Sequence, residues 1–148
     1  MINLHRNKKF KFLEHTADVY IASYGKNIEE AFENAASAMF EVMTNIKKIN
    51  PSFEESITVE AKDELALLYN WLEALLVNFE TKNMLYSKFK IFPFKKNPDS
   101  LIIEAKAWGE LFDPKKHTQK VGVKAVTYHR MEIIKKRNEV ILEFILDI

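Results

Sequence analysis

Apolar and polar positions alternate along much of the chain, and in two stretches the alternation gives way to helical spacing. Lys9–Glu14 places Phe10 and Phe12 on one side and reads as a strand, and Val19–Tyr24 continues in strand-forming residues. Gly25 then interrupts the pattern. Asn27, with Glu30 three places on, resembles a capping box. Behind it Ile28, Ala31, Phe32, Ala35, Met39, Phe40 and Met43 recur at the spacing of one helical stripe, which predicts a helix over Ile28–Thr44. Ser56–Ala61 alternates with β-branched residues and predicts a strand. Asp63 can cap a second helix, whose stripe of Leu65, Leu68, Tyr69, Leu72, Leu75, Leu76 and Phe79 runs to Thr81.

The remainder predicts strands. Tyr86–Phe94 alternates lysine with aromatic and aliphatic residues, Asn97-Pro98-Asp99-Ser100 is a turn, and Leu101–Trp108 is the return strand. Glu110–Gly122 reads as a lysine-rich loop. Val123–Lys135 and Glu139–Leu146 form a hairpin around Arg137-Asn138. Runs of strands with two amphipathic helices predict an α+β fold. We expect one domain over residues 1–148, with mostly antiparallel sheet covered by the two helices.

Composition removes whole classes of chemistry. There is no cysteine, which excludes disulfides, thiolate metal sites and cysteine nucleophiles. The only glycines, Gly25, Gly109 and Gly122, are too dispersed for a phosphate-cradling loop. The six serines lie in no strand–elbow–helix setting with glycine neighbours. No apolar run approaches the ~20 residues of a membrane helix, and Met1–Lys11 has no apolar signal core. These features lead us to expect a cytoplasmic protein with no membrane partner. The net charge is +1, but residues 82–124 hold ten lysines against four acids. Such a segment steers toward phosphate or an acidic surface, or simply coats the protein with solvated lysine. The three arginines, Arg6, Arg130 and Arg137, leave little for bidentate phosphate contacts.

Candidate chemistry collects in a few places. Glu14-His15-Thr16-Ala17-Asp18 sits between two predicted strands. It reads either as a metal or acid–base site or as a hydrogen-bonded turn. At the other end, Leu146-Asp147-Ile148 brings a carboxylate beside the last residue, in a strand end or a frayed one. If Asp18 approached these groups, several negative oxygens would converge. That costs several kcal/mol unless a cation neutralises them. Oxygen ligands without cysteine select a hard cation such as Ca²⁺ or Mg²⁺. Phe112-Asp113-Pro114-Lys115-Lys116-His117 reads as a turn with a histidine on the surface, and His129 as a strand histidine or a ligand. Phe10, Phe12, Phe89 and Phe92 interleaved with lysine could stack nucleobases. Core-facing strand residues opposite solvated lysine explain them better.

Several of these segments, taken in order, resemble the archease family. They are Phe12-Leu13-Glu14-His15-Thr16-Ala17-Asp18-Val19, Glu30-Ala31-Phe32 with Met39-Phe40, and Leu68-Tyr69-Asn70-Trp71-Leu72. Further on come Ala107-Trp108-Gly109-Glu110, Phe112-Asp113-Pro114 with His117, Val123–His129, and Leu146-Asp147-Ile148. Tyr20 departs from the pattern, standing where a small residue is expected, and the turn at Lys95–Ser100 is no family landmark. The resemblance implies a non-catalytic protein that activates an RtcB-type RNA ligase of tRNA splicing. It would promote guanylylation of the ligase and its multiple turnover, touching tRNA through the ligase. It also implies an acidic metal site, with calcium as the expected cofactor, on Asp18, Asp147 and Ile148. Other classes remain open at this point: a chaperone of another tRNA-processing enzyme such as a methyltransferase, a direct RNA-binding module, or a metal-dependent hydrolase.

Overall fold

A computed structural model of the chain describes residues 9–13 and 18–148. The predicted helices form where the periodicity puts them. Helix α1 spans Ile28–Met43 and α2 spans Glu64–Lys82. The Asn27 side chain accepts from the Glu30 amide at 2.8 Å, and the Glu30 carboxylate accepts in return from the Lys26 amide at 2.8 Å. Two amides that no helical carbonyl can reach are thereby satisfied. Asp63 caps α2 through the Ala66 amide at 2.9 Å. That helix stops at Asn83, whose left-handed φ of 57° suits asparagine better than most side chains. The indole Nε1 of Trp71 on α2 donates to the Phe32 carbonyl on α1 at 3.0 Å, which satisfies the ring's donor inside the core.

Among the described residues eight strands form two sheets. The first has the order β1 (Phe10–Leu13), β2 (Val19–Gly25), β8 (Glu139–Asp147), β7 (Ala125–Lys136). The second has the order β3 (Phe53–Ala61), β6 (Ser100–Leu111), β4 (Met84–Ile91), with β5 (Lys95–Asn97) also paired to β6. Every pairing is antiparallel. The helices lie between the sheets: α1 packs on β2, β8 and β4, and α2 on β3, β6, β4 and β7. One helical layer thus serves both sheets. Its apolar stripes join Ile21, Leu142, Phe144 and Leu146 from one side to Ile57, Ile103, Ala107 and Phe89 from the other. Each such side chain, fully buried, contributes ~1.5–3 kcal/mol.

Several boundaries differ from the sequence reading, each for a local reason. Strand β3 begins at Phe53 rather than Ser56, because pairing with β6 outweighs the weak strand preference of Glu54 and Glu55. Strand β4 ends at Ile91 rather than Phe94, since Pro93 has no amide to donate. Strand β6 runs on to Leu111 and takes in residues expected in the loop. A side chain at Gly109 would run into the Leu85 carbonyl on β4, so this crossing needs glycine. A 3₁₀ turn at Ile46–Lys48 was not foreseen. Strand β7 carries a wide bulge in which Tyr128–Met131 stand opposite Phe144 alone, with Arg130 at a φ of 56°.

Candidate metal-binding site

The first sheet places Asp18 and Asp147 just beyond the same end of one strand pair. The β2–β8 ladder runs from Gly25 opposite Val140 to Val19 opposite Leu146, so the residues flanking its last pair are Asp18 and Asp147. Directly opposed residues of an antiparallel pair share a face. On β8 the side chains of Leu142, Phe144 and Leu146 enter the core, so Glu143, Ile145 and Asp147 belong to the outer face. Asp147 is in the sheet and not frayed. It pairs with Ala125 of β7, and its carbonyl accepts from the Lys124 amide at 2.7 Å. Ile148 is half-buried and packs against the main core, which anchors the backbone just past Asp147. Asp147 is exposed and Asp18 half-buried, so both are within reach of water.

This donor set suits a hard cation. It offers two carboxylates and main-chain oxygen, with no sulfur and no imidazole, and an exposed position where water can complete the shell. Among the described residues no three His, Asp or Glu side chains cluster as metal ligands by themselves. The pair would therefore rely on main-chain and water oxygens. Glu14, His15, Thr16 and Ala17 lie outside the described residues, as does His5. Tyr20 occupies the same outer face and donates from its hydroxyl to Glu143 Oε1 at 3.3 Å. Burial first, and then the Glu143 charge, raise the Tyr20 pKa. Its bulk is thus used in covering the sheet beside Glu143.

The other histidines have different settings. His117 is buried, 2 % exposed, where the sequence suggested a surface residue. Its Nδ1 accepts from the Asp113 amide at 2.9 Å, which makes Nε2 the protonated nitrogen facing Glu110 Oε2 at 2.9 Å. Glu110 also receives Lys116 Nζ at 2.7 Å and the Asn50 amide at 2.9 Å. Burial alone would raise the Glu110 pKa. The hydrogen bonds from Lys116, Asn50 and His117 outweigh it and hold the carboxyl at about 2. This cluster ties the loop after β6 to the second sheet, a structural use of all its polar atoms. His129 is exposed on the β7 bulge, where its amide donates to Thr127 Oγ1 at 2.8 Å. Next to it Tyr128 stacks on Tyr69 of α2, with centroids 4.3 Å apart and rings within 6° of parallel. Alternation in β7 gave no sign of that contact, because the bulge that aims Tyr128 breaks the alternation itself.

The aromatic platform does not form as a unit. Phe89 is in the core and Phe10 packs against it, whereas Phe12 and Phe92 are each exposed by two-fifths or more. Two concavities open elsewhere. One of about 410 Å³ is lined by Met43, Thr44, Phe79, Leu85, Phe112 and Val121, among others, and a shallower one lies between Lys62–Leu65 and Met131–Ile133. Neither includes Asp18 or Asp147. No helix among the described residues is long and apolar enough to cross a membrane.

Comparison with known proteins covers nearly the whole chain. Residues 10–148 match the model of the archease protein family. A protein archease from Sulfurisphaera tokodaii is 50 % identical over 141 residues, spanning 95 % of this chain and 99 % of the relative. One from Sulfolobus acidocaldarius is 43 % identical over 140 residues, spanning 95 % and 99 %. Among solved structures, protein 1598 of Methanobacterium thermoautotrophicum superposes with a TM-score of 0.84 at 39 % identity. That match covers 95 % of this chain and 99 % of the other. An archease of Thermotoga maritima, described as a possible chaperone, shares the fold at a TM-score of 0.59 and 17 % identity. It covers 93 % of this chain and 96 % of the other.

Proposed function

The chain belongs to the archease family, and from that premise we propose that it is a non-catalytic activator of an RtcB-type RNA ligase, acting through a calcium site on Asp18, Asp147 and Ile148. The observation that supports this reading is the β2–β8 register, whose last pair is flanked by the two aspartates. Two like charges held side by side repel, and a divalent cation turns that repulsion into attraction. When bound, calcium would neutralise the pair and fix the strand ends against each other. The side chains then have separate tasks. Asp18 and Asp147 supply carboxylate oxygen, and Ile148 supplies main-chain oxygen while its side chain holds that oxygen in place from the core. The Lys124 amide occupies one lone pair of the Asp147 carbonyl and orients the strand end. The result is a rigid, charged tip that can enter the ligase and assist its guanylylation, with tRNA met only through the ligase.

Multiple-turnover ligation of a nicked tRNA by the cognate ligase, with and without this protein, tests the reading. We expect acceleration with the wild-type protein. Asp18→Asn and Asp147→Asn, which keep shape and remove charge, should each lose most of it while calorimetric calcium binding weakens at least tenfold, about 1.4 kcal/mol. Full ligation with a fold that no longer binds calcium would refute the metal's part. No acceleration by the wild-type protein would refute the activator reading.

A further inference from the structure

Two sheets have four edges, and among the described residues three of them are blocked. Strand β1 is four residues long. Strand β7 is broken by its bulge, with Tyr128 stacked on α2. Strand β4 is covered by neighbouring elements: the Glu33 side chain on α1 accepts from the Ile91 amide at 2.8 Å, and the segment after the 3₁₀ turn lies against it, where the Ile49 carbonyl accepts from Ser87 Oγ at 2.9 Å. Short length, bulges and covering side chains are the usual ways to prevent a sheet from being extended.

Strand β3 is neither short nor bulged, and a side chain from a neighbouring element covers it only at Glu60. It pairs with β6 in unbroken register over nine residues, from Phe53 opposite Gly109 to Ala61 opposite Leu101, and contains no proline. Its only neighbours among the elements are β6 and α2. The direction of its backbone groups follows from two hydrogen bonds. The Glu104 carbonyl on β6 accepts from the Phe92 amide, on the side away from β3, so Thr58 opposite Glu104 turns its own amide and carbonyl outward. The Glu60 carbonyl accepts from Asn70 Nδ2 at 2.9 Å, consistent with the same parity. Glu54, Ser56 and Thr58 therefore present outward-facing backbone groups along an open edge, with Glu60 partly closed by Asn70.

We propose that the β3 edge is a docking site for an extended segment of a partner protein that alternates basic and apolar side chains and joins the second sheet as an added strand. Such addition takes affinity from the main chain and specificity from alternate side chains. On the outer face the newcomer would lie beside Glu54, Ser56, Thr58 and Glu60, and β3 has no cation of its own to offset its acids. The Glu54–Lys106 pair, at 3.3 Å, is exposed and can be shared. On the helix-facing side the neighbours are Phe53, left 61 % exposed, with Ile57 and Val59, and Glu55 between them is already held by Lys82 and the Tyr86 hydroxyl. A second copy of the chain fits poorly, because pairing β3 with itself about Ile57 sets Glu54 of each copy opposite Glu60 of the other. This inference stands apart from the calcium reading, which concerns the other sheet.

The test uses a fluorescein-labelled peptide of four Lys-Val repeats and the full-length protein, read by anisotropy. Saturable binding is expected. Ser56→Pro removes an outward amide without touching the β6 ladder and should weaken binding at least about tenfold, whereas Ser56→Ala should leave it within about twofold. The same peptide N-methylated at alternate residues keeps its charge and side chains and should also bind at least about tenfold more weakly. If Ser56→Pro fails to fold by circular dichroism, the N-methylated peptide on the wild-type protein decides alone. Absence of binding, or equal binding of the two peptides, would overturn the proposal. So would a dimer seen by sedimentation that Ser56→Pro dissolves.

Discussion

The two sheets cover the same helices with one face each, and their other faces differ. The outer face of the second sheet is charged and wet: Glu54 pairs with Lys106, Lys95 with Glu104, and Lys88 lies 4.7 Å from the ring centroid of Trp108. The outer face of the first sheet is apolar along its middle, with Lys11, Glu132 and Asp147 exposed toward its margins. Ala22, Tyr24 and Ile141 form a small second cluster with Leu13 and Ile134, and Ile145 is 1 % exposed. One sheet is half-buried in the ordinary antiparallel way, and the central strands of the other are buried on both sides. The acidic pair sits at the end of those central strands. The register beside that pair is set by Ile21, Leu142, Phe144 and Leu146, which a one-residue slip would turn out of the core.

The contrast can be broken by substitution. Ile145→Ala, on the outer face of the first sheet, should cost ~2–4 kcal/mol in urea unfolding. Thr58→Ala, its counterpart on the second sheet, should cost under ~0.5 kcal/mol. Similar costs would mean that the two outer faces are energetically alike. A smaller effect is expected at Glu110, where the second sheet does use a charge structurally. Its folded pKa of about 2 lies below the ordinary 4.5, so its stabilisation is complete above pH 4.5 and is lost as pH falls toward 2. Glu110→Gln should lower Tm by roughly 2–4 °C at neutral pH, and the gap from wild type should close on acidification. A gap that persists at pH 2 would assign Glu110 to packing instead of charge. The least effect belongs to Lys106→Ala, under ~0.5 kcal/mol and smaller still in high salt.

The helices were legible because their signals are local. The Asn27 and Asp63 caps and the stripes of Phe32, Met39, Leu68 and Leu72 all lie within a few turns of one another. Strand positions were legible to within a few residues for the same reason. Which strands share a sheet was not, since β2 and β8 are separated by nearly the whole chain and no local signal links them. His117 was misplaced because its burial depends on Glu110 and Asn50, which no periodicity connects to it. The β7 bulge was missed because Tyr128-His129-Arg130-Met131 are acceptable strand residues by type, although the buried Val126 and Met131 stand an odd number of residues apart. At the candidate site, charge arithmetic suggested that Asp18 and Asp147 would need a cation if they met. Only the resemblance put them together, and the ladder register supplies the physical route.

That ladder also bears on kinetics. Strands β1 and β2 precede everything else in the fold, yet β2 pairs with β8, almost a full chain length away. Contacts of such long sequence separation carry the largest loop-closure entropy and form late. The second sheet, with closer partners in β4, β5 and β6, can assemble around the helices first. A nascent chain would then wait with one edge of β2 unpaired until β8 emerged, and the acidic tip would be among the last parts of the molecule to exist.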